Sequence, residues 1–151
     1  CFYVPSCSFV VVFFILTYPL PPPSPLSSSS AASDVYKGPA VYNLSRSGLM
    51  TASLFSGKLE NLRVAVQDRI HQPYRSGLID DCDSVFRMSY ELGSLGTYVS
   101  GAGPTIISMI ETETAEQFGE SCAQHLKDKG IAGWTVHIMA ADHQGAQIII
   151  E

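Results

Sequence analysis

The sequence predicts an α+β domain in which helices pack against an antiparallel four-stranded sheet. Short runs rich in β-branched and aromatic residues alternate with segments whose apolar residues recur at helical spacing. Past Tyr36 the predicted order is three helices, two strands, one helix and two strands. Such strands pair most simply into one sheet with helices on one of its faces. This is the element content of a ferredoxin-like fold.

Three helices are predicted first. Residues 41–55 place apolar and small side chains on one helical face, and Gly57 is a typical residue for a helix end. A short second helix covers residues 59–66. The third begins near the aspartates of residues 80–83, whose carboxylates suit an N-cap, and ends at Gly93.

The predicted strands come in two pairs. Residues 95–100 and 105–110 are rich in strand formers and flank a glycine-containing loop. Residues 114–130 then predict a helix with a buried apolar stripe. The second pair of strands is predicted at residues 134–138 and 146–150.

The first 35 residues differ in composition from the rest of the chain. The first charged residue is Asp34, an apolar run covers residues 9–16, and prolines and serines dominate residues 19–30. The run is shorter than the ~20 residues that span a membrane, and no basic residue precedes it, as a signal peptide would require. We therefore expect residues 1–35 to be a leader outside the domain and residues 36–151 to form the domain. A genuine signal or anchor is the alternative.

Charge and cysteine content exclude two classes of site. Acids and bases cancel over residues 34–110, so the net charge of −5 lies in residues 111–151. The absence of a basic stripe argues against a nucleic-acid partner. The four cysteines form no CxxC pair and no zinc spacing with the four histidines, so no metal site is predicted. Scattered cysteines suit a reducing cytoplasm.

The segment SGAGPT between the first two strands is longer and stiffer than a strand connection requires. Gly101 and Gly103 can adopt positive φ and allow a ligand to approach the backbone. The hydroxyls of Ser100 and Thr105 can donate to a phosphate, although hydroxyls at such positions also close turns. We predict that the loop shapes a site. A tight connection without a ligand is the alternative.

Two motifs, taken with their spacing, resemble a known family. The segment AVQDRIHQPYRSGLI (residues 65–79) is followed about twenty residues later by SGAGPT, as in the C-terminal half of bacterial homoserine kinases, which are GHMP small-molecule kinases. The segments VYNLSRSGLM (residues 41–50) and HQGAQI (residues 143–148) also resemble that family. The part QDRIHQPYR is the most specific. The resemblance extends from about Tyr36 to Glu151.

This resemblance implies a function and a site. Homoserine kinases use ATP and Mg²⁺ to phosphorylate the side-chain hydroxyl of L-homoserine, which gives O-phospho-L-homoserine in cytoplasmic threonine biosynthesis. Arg75 matches a family arginine that binds the substrate carboxylate, and a guanidinium can hold a carboxylate by two parallel hydrogen bonds. Gly101 and Gly103 match a loop that packs beside the phosphate-binding loop. A surface ion pair of Arg75 with Asp68 or Asp80 is the alternative.

Two neighbours of Arg75 are assigned to structure, not to catalysis. Asp68 is expected to pair with Arg69 or Arg46, or to cap a turn. His71 is expected to hydrogen-bond a loop, although histidine can also transfer protons near neutral pH. No catalytic residue is therefore assigned in this chain.

The sequence departs from the family in one major respect. The phosphate-binding loop of the form P-x-x-x-G-L-G-S-S-A is absent, and SSSSAAS at residues 27–33 is only faintly similar. We therefore expect a separate N-terminal GHMP domain as the partner that holds ATP and Mg²⁺, and a chain that is inactive without it. A homodimer is left open and membrane attachment is disfavoured. Alternatives are another GHMP kinase, acting on a sugar or isoprenoid precursor, and a non-catalytic amino-acid-binding domain.

Overall fold

A computed structural model describes residues 9–16 and 32–140 of the chain. In this part of the molecule the helices and strands follow one another in an order close to the predicted one. They are β1 (Phe9–Leu16), α1 (Ala32–Ser56), α2 (Leu62–Ala65), α3 (Gln72–Arg75), α4 (Cys82–Glu91), β2 (Gly96–Val99), β3 (Ile106–Glu111), α5 (Ala115–Asp128) and β4 (Trp134–Met139).

The described strands lie in one sheet in the order β2-β3-β1-β4, and each pairing between them is antiparallel. The strand β1 is interior, because Val12 lies opposite Ser108 of β3 on one side and opposite Ile138 of β4 on the other. The predicted α+β class with an antiparallel sheet is therefore confirmed. Three of the four predicted strands are present as β2, β3 and β4, whereas β1 was not predicted as a strand. The predicted strand at residues 146–150 lies outside the described residues.

The position of β1 corrects the expectation that the whole leader stands apart from the domain. Phe9–Leu16 pairs with both of its neighbours, and Val10, Val12 and Phe14 are buried in the core. A continuous apolar run is typical of a strand that is buried on both faces as well as of a signal segment, and its periodicity does not separate the two. Helix α1 also begins at Ala32, before the predicted boundary. For the rest of residues 1–35, exclusion from the domain stays a prediction.

Helices cover both faces of the sheet, whereas the sequence predicted helices on one face. On one face, Val85 of α4 and Phe118 of α5 pack with Phe14. The rings of Phe14 and Phe118 lie edge to face, with their centres 6.5 Å apart. On the other face, Leu62 of α2 packs against Met109 of β3. Successive residues of a strand point to opposite faces. Because helices cover both faces, residues 106–110 of β3 are all buried.

Helix α1 leaves one apolar face exposed. The exposed fractions are 68% for Val41, 73% for Leu44 and 65% for Phe55. The opposite side of α1 carries Ser53, which is buried, and Leu54, which packs into the cluster around α2. None of the helices described combines the length and the apolar character that crossing a bilayer requires.

Candidate functional site

Arg75 is the last residue of α3 and is partly buried. Pro73 lies in the first turn of this helix, where its missing N–H removes no helical hydrogen bond. The Nε–H of Arg75 donates to Nε2 of His71 at 3.2 Å. Within residues 9–16 and 32–140, Arg75 has no other side-chain hydrogen bond and no ion pair with Asp68 or Asp80. Its two terminal nitrogens therefore have no acceptor among the described residues.

Asp68 organises the turn that precedes α3. Its carboxylate accepts hydrogen bonds from Nδ2 of Asn43 at 2.5 Å and from the backbone N–H groups of Ile70 at 2.7 Å, His71 at 3.0 Å and Gln72 at 2.5 Å. Burial on its own raises the pKa of Asp68, but these hydrogen bonds outweigh burial and bring its pKa below 3.8. Of the two roles expected for Asp68, the structure shows the turn cap. It shows no ion pair of Asp68 among the described residues.

Hydrogen bonds and ring contacts join the middle of α1 to residues 67–69, where this turn begins. Oδ1 of Asn43 accepts from the backbone N–H of Arg69 at 3.0 Å, and the hydroxyl of Tyr42 donates to Oε1 of Gln67 at 2.5 Å. The guanidinium groups of Arg69 and Arg46 lie 3.9 Å and 4.3 Å from the centre of the Tyr42 ring. These contacts fix where the turn begins relative to α1.

The SGAGPT loop joins β2 to β3 and is closed by its own backbone. The N–H of Ser100 donates to the carbonyl of Thr105 at 2.8 Å, and that of Gly103 donates to the carbonyl of Ser100 at 2.9 Å. Gly101 and Gly103 have φ values of +53° and +81°, which favour glycine. A Cβ at Gly101 would meet no atom within 4 Å, whereas a Cβ at Gly103 would lie 3.1 Å from Cδ1 of Ile79. The loop is therefore packed on one side and open at Gly101.

The two hydroxyl side chains of the loop are not used to close it. Neither the Ser100 hydroxyl nor the Thr105 hydroxyl hydrogen-bonds to any residue that the structure describes. Backbone groups close the turn instead, and both side chains are only partly buried. The hydroxyls are therefore free to donate to another molecule.

Two contacts join the turn around Arg75 to the glycine loop. Oε1 of Gln72 accepts from the backbone N–H of Val99, the last residue of β2, at 2.9 Å. The buried side chain of Ile79 lies against Gly103. The two motifs that the sequence singled out thus lie side by side. Sequence reasoning missed Gln72 and Asn43, because an amide side chain carries no signal of which backbone group it will contact.

A mixed-charge crevice lies elsewhere on the molecule and contains none of the predicted site residues. It has a volume of about 400 Å³ between α4 and α5. Within the described ranges, no three or more His, Cys, Asp or Glu side chains are grouped so that they could hold a metal ion. The crevice is lined by Asp81, Ser84, Arg87, Met88, Glu91, His125, Lys129 and Ile131.

Known proteins resemble this chain over most of its length. Homoserine kinases of Clostridium beijerinckii and Clostridium botulinum are 47% and 41% identical to it over 109 and 115 residues. These matches cover 72% and 76% of this chain but 36% and 38% of the two relatives. A solved homoserine kinase from Cytophaga hutchinsonii shares the fold, with a TM-score of 0.71 and 23% identity over 97% of this chain and 45% of that one. The chain therefore spans less than half the length of these relatives.

The family model described as "GHMP kinases C terminal" matches residues 50–128. That range includes α3 with Arg75 and the whole SGAGPT loop. More than half of the chain is therefore accounted for by this one model. The chain belongs to the GHMP kinase family, of which it carries the C-terminal domain.

Proposed function

We propose that this chain is the C-terminal, substrate-binding domain of a homoserine kinase, and that Arg75 binds the carboxylate of L-homoserine. The observation that carries the proposal is the position of Arg75. Its guanidinium is held through Nε by His71, its terminal nitrogens have no partner among the described residues, and its turn is joined to the glycine loop through Gln72 and Val99. The similarity to proteins named homoserine kinase supports the choice of substrate.

The geometry suits a positioning role in phosphoryl transfer. Two parallel hydrogen bonds from Arg75 would fix one end of the amino acid and so limit where its side-chain hydroxyl can lie. The open surface at Gly101 allows close approach of a phosphate, and the Ser100 and Thr105 hydroxyls would donate to it. When bound, ATP would supply the phosphoryl group and Mg²⁺ would neutralise its charge, and catalysis of such reactions comes from this charge stabilisation together with positioning. This chain supplies the substrate anchor and one wall of the phosphate site.

The proposed main partner is the N-terminal GHMP domain, which would hold most of the ATP and Mg²⁺. It is supported by the length of the relatives, of which this chain covers 36% to 38%. A second copy of the chain is a further candidate partner, since the α1 face of Val41, Leu44 and Phe55 is exposed. We place the protein in the cytoplasm, because Cys82 and Cys122 are buried free thiols, which suit a reducing compartment.

An ADP-release assay with L-homoserine, ATP and Mg²⁺ tests this function. The chain is assayed alone and fused to the N-terminal half of the Clostridium beijerinckii relative, with the Arg75→Lys fusion as control. We expect activity only in the fusion, and a preference for homoserine over sugars and isoprenoid precursors. Equal turnover of a sugar would favour another GHMP kinase. A chain that binds homoserine but is inactive in both forms would favour a non-catalytic amino-acid-binding domain.

A further inference from the structure

We propose that Asp68 and Asn43 are positioning residues, which hold Arg75 and the glycine loop in one fixed geometry. This proposal rests on the proposed function, since it concerns the same substrate site. Neither residue was assigned to the site from the sequence, and neither is placed against the reacting groups. Their effect would pass through the turn of residues 68–72 and through α3.

Helix α3 cannot fix its own position. It contains four residues, far fewer than the ~12 that an isolated helix needs to be stable in water. What orders its start is the carboxylate of Asp68, which accepts from three consecutive backbone N–H groups, those of Ile70, His71 and Gln72. Such donors otherwise lack a partner at the start of a helix. The direction of the short helix, and so of Arg75 at its end, follows from Asp68.

Gln72 is held both by its backbone and by the end of its side chain. Its backbone N–H donates to Asp68 at 2.5 Å, and its side-chain oxygen accepts from the backbone N–H of Val99 at 2.9 Å. Val99 directly precedes Ser100, the first residue of the glycine loop. Asp68 therefore sets the distance between the arginine side and the loop side of the site through a single residue.

Asn43 connects the turn to the long helix α1 by two hydrogen bonds. Its amide oxygen accepts from the N–H of Arg69 at 3.0 Å, and its NH₂ group donates to Asp68 at 2.5 Å. The two bonds require one orientation of the amide, because the oxygen can only accept and the nitrogen can only donate. A hydrogen bond to a carboxylate is also stronger than a neutral one. Asn43 thus anchors the start of the turn, at Asp68 and Arg69, to a helix of 25 residues.

All the hydrogen bonds of Asp68 come from groups that must donate. An Asp68→Asn change keeps the size of the side chain but turns one oxygen into an NH₂ group, which would face N–H donors. The turn can then satisfy only part of its hydrogen bonds, and a partly buried donor that loses its partner lowers the stability of the turn. Asp80→Asn is the matched control, because Asp80 is exposed and forms no bond with a described residue.

The first arm of the test uses the 151-residue chain without any partner or ligand. Backbone amide hydrogen exchange is followed at His71, Gln72 and Val99 in the wild type, Asp68→Asn and Asp80→Asn. We expect exchange at these amides to be at least tenfold faster in Asp68→Asn only. Unchanged protection at Val99 would overturn the proposal. If Asp68→Asn does not fold, Asn43→Ala removes one donor to Asp68 and one acceptor for the N–H of Arg69. It leaves the three backbone donors of Asp68 in place, and so gives the same test with a smaller expected effect.

The second arm uses the active fusion and separates this proposal from the proposed function. We expect Asp68→Asn to raise the homoserine KM at least tenfold, with the ATP KM changed less than twofold. Asn43→Ala should act in the same direction, and the two changes should not be additive. An unchanged homoserine KM in Asp68→Asn, with a raised one in Arg75→Lys, would overturn the positioning role alone. No effect of Arg75→Lys would overturn the proposed function.

Discussion

Nε2 of His71 accepts a hydrogen bond from Nε–H of Arg75 at 3.2 Å, one helical turn along the chain. Nε is the guanidinium nitrogen that is attached to the aliphatic part of the side chain. A hydrogen bond to it therefore orients the guanidinium plane and, with it, the two terminal nitrogens. The ring nitrogen must be unprotonated to accept, so the other ring nitrogen carries the hydrogen in neutral His71. We therefore expect His71 to act on a bound substrate through Arg75.

Removal of this acceptor should weaken substrate binding without removing it. A net hydrogen bond is worth about 1 kcal/mol, which corresponds to roughly fivefold in affinity. We therefore expect His71→Ala to raise the homoserine KM of the fusion about fivefold, with little change in kcat. Tyr74→Ala is the control, because Tyr74 lies in the same helix and is 69% exposed. Equal effects of the two variants would count against an orienting role for His71.

Arg75→Lys should have a larger effect than His71→Ala. Lysine keeps the positive charge but cannot form two parallel hydrogen bonds to a carboxylate. We expect the homoserine KM to rise by about 10- to 100-fold, a loss on the order of 1.4 to 3 kcal/mol. The ATP KM should change little, and a homoserine analogue without the carboxylate should not distinguish the variant from wild type. Equal losses for both substrates would contradict the assignment of Arg75.

The sequence predicted the local elements better than the way they come together. The glycines of SGAGPT indicate positive φ because few other residues adopt it. The structure has φ of +53° at Gly101 and +81° at Gly103. The role of residues 9–16 could not be predicted in the same way. An apolar run does not indicate which segments it will pair with. Only the observed pairing with β3 and β4 identifies residues 9–16 as a strand.

The same limit applies to the candidate site. Arg75 was predicted because its motif resembles that of homoserine kinases, and carboxylate recognition suits its residue type. The glycine loop was predicted from its residue types and from the same resemblance. Asn43 and Gln72, which join these parts, each bridge 25 or more residues of sequence. A side-chain amide that bonds a distant backbone group depends on the finished fold, and no local pattern encodes it.

A chain of buried hydroxyl groups should contribute measurably to stability. Thr97 Oγ1 lies 2.8 Å from Ser94 Oγ and 2.9 Å from Ser108 Oγ, and all three side chains are buried. Thr97→Val keeps the shape but leaves both serines short of a partner, so we expect a loss of about 1 to 3 kcal/mol in the free energy of unfolding. Urea unfolding checks this, with the exposed Thr112→Val as control. Equal midpoints for Thr97→Val and wild type would show that the hydroxyl chain contributes nothing.

Two cysteine thiols should be inert in the folded chain. Burial raises the pKa of Cys122 to about 12, and burial together with the charge of Asp83 raises that of Cys82 to about 11. The reactive thiolate is therefore scarce at pH 8. We expect iodoacetamide to modify both thiols only after denaturation, as read by mass spectrometry of the separate peptides. Rapid labelling of Cys122 under native conditions would mean that α5 opens locally.

Asp68 should make stability depend on pH in acid. Its folded-state pKa is lowered below 3.8, because the hydrogen bonds from Asn43 and from the N–H groups of Gln72, Ile70 and His71 outweigh the opposing effect of burial. A group with a depressed folded pKa adds stability above its unfolded pKa of about 3.9, and this is lost as pH falls through the folded pKa. The difference in unfolding free energy between wild type and Asp68→Asn should therefore be constant from pH 5 to 7 and shrink below about pH 4. Chemical unfolding at a series of pH values measures it, with Asp80→Asn as the control. A difference that grows on acidification would mean that Asp68 binds protons more readily in the folded chain, contrary to the hydrogen bonds it accepts.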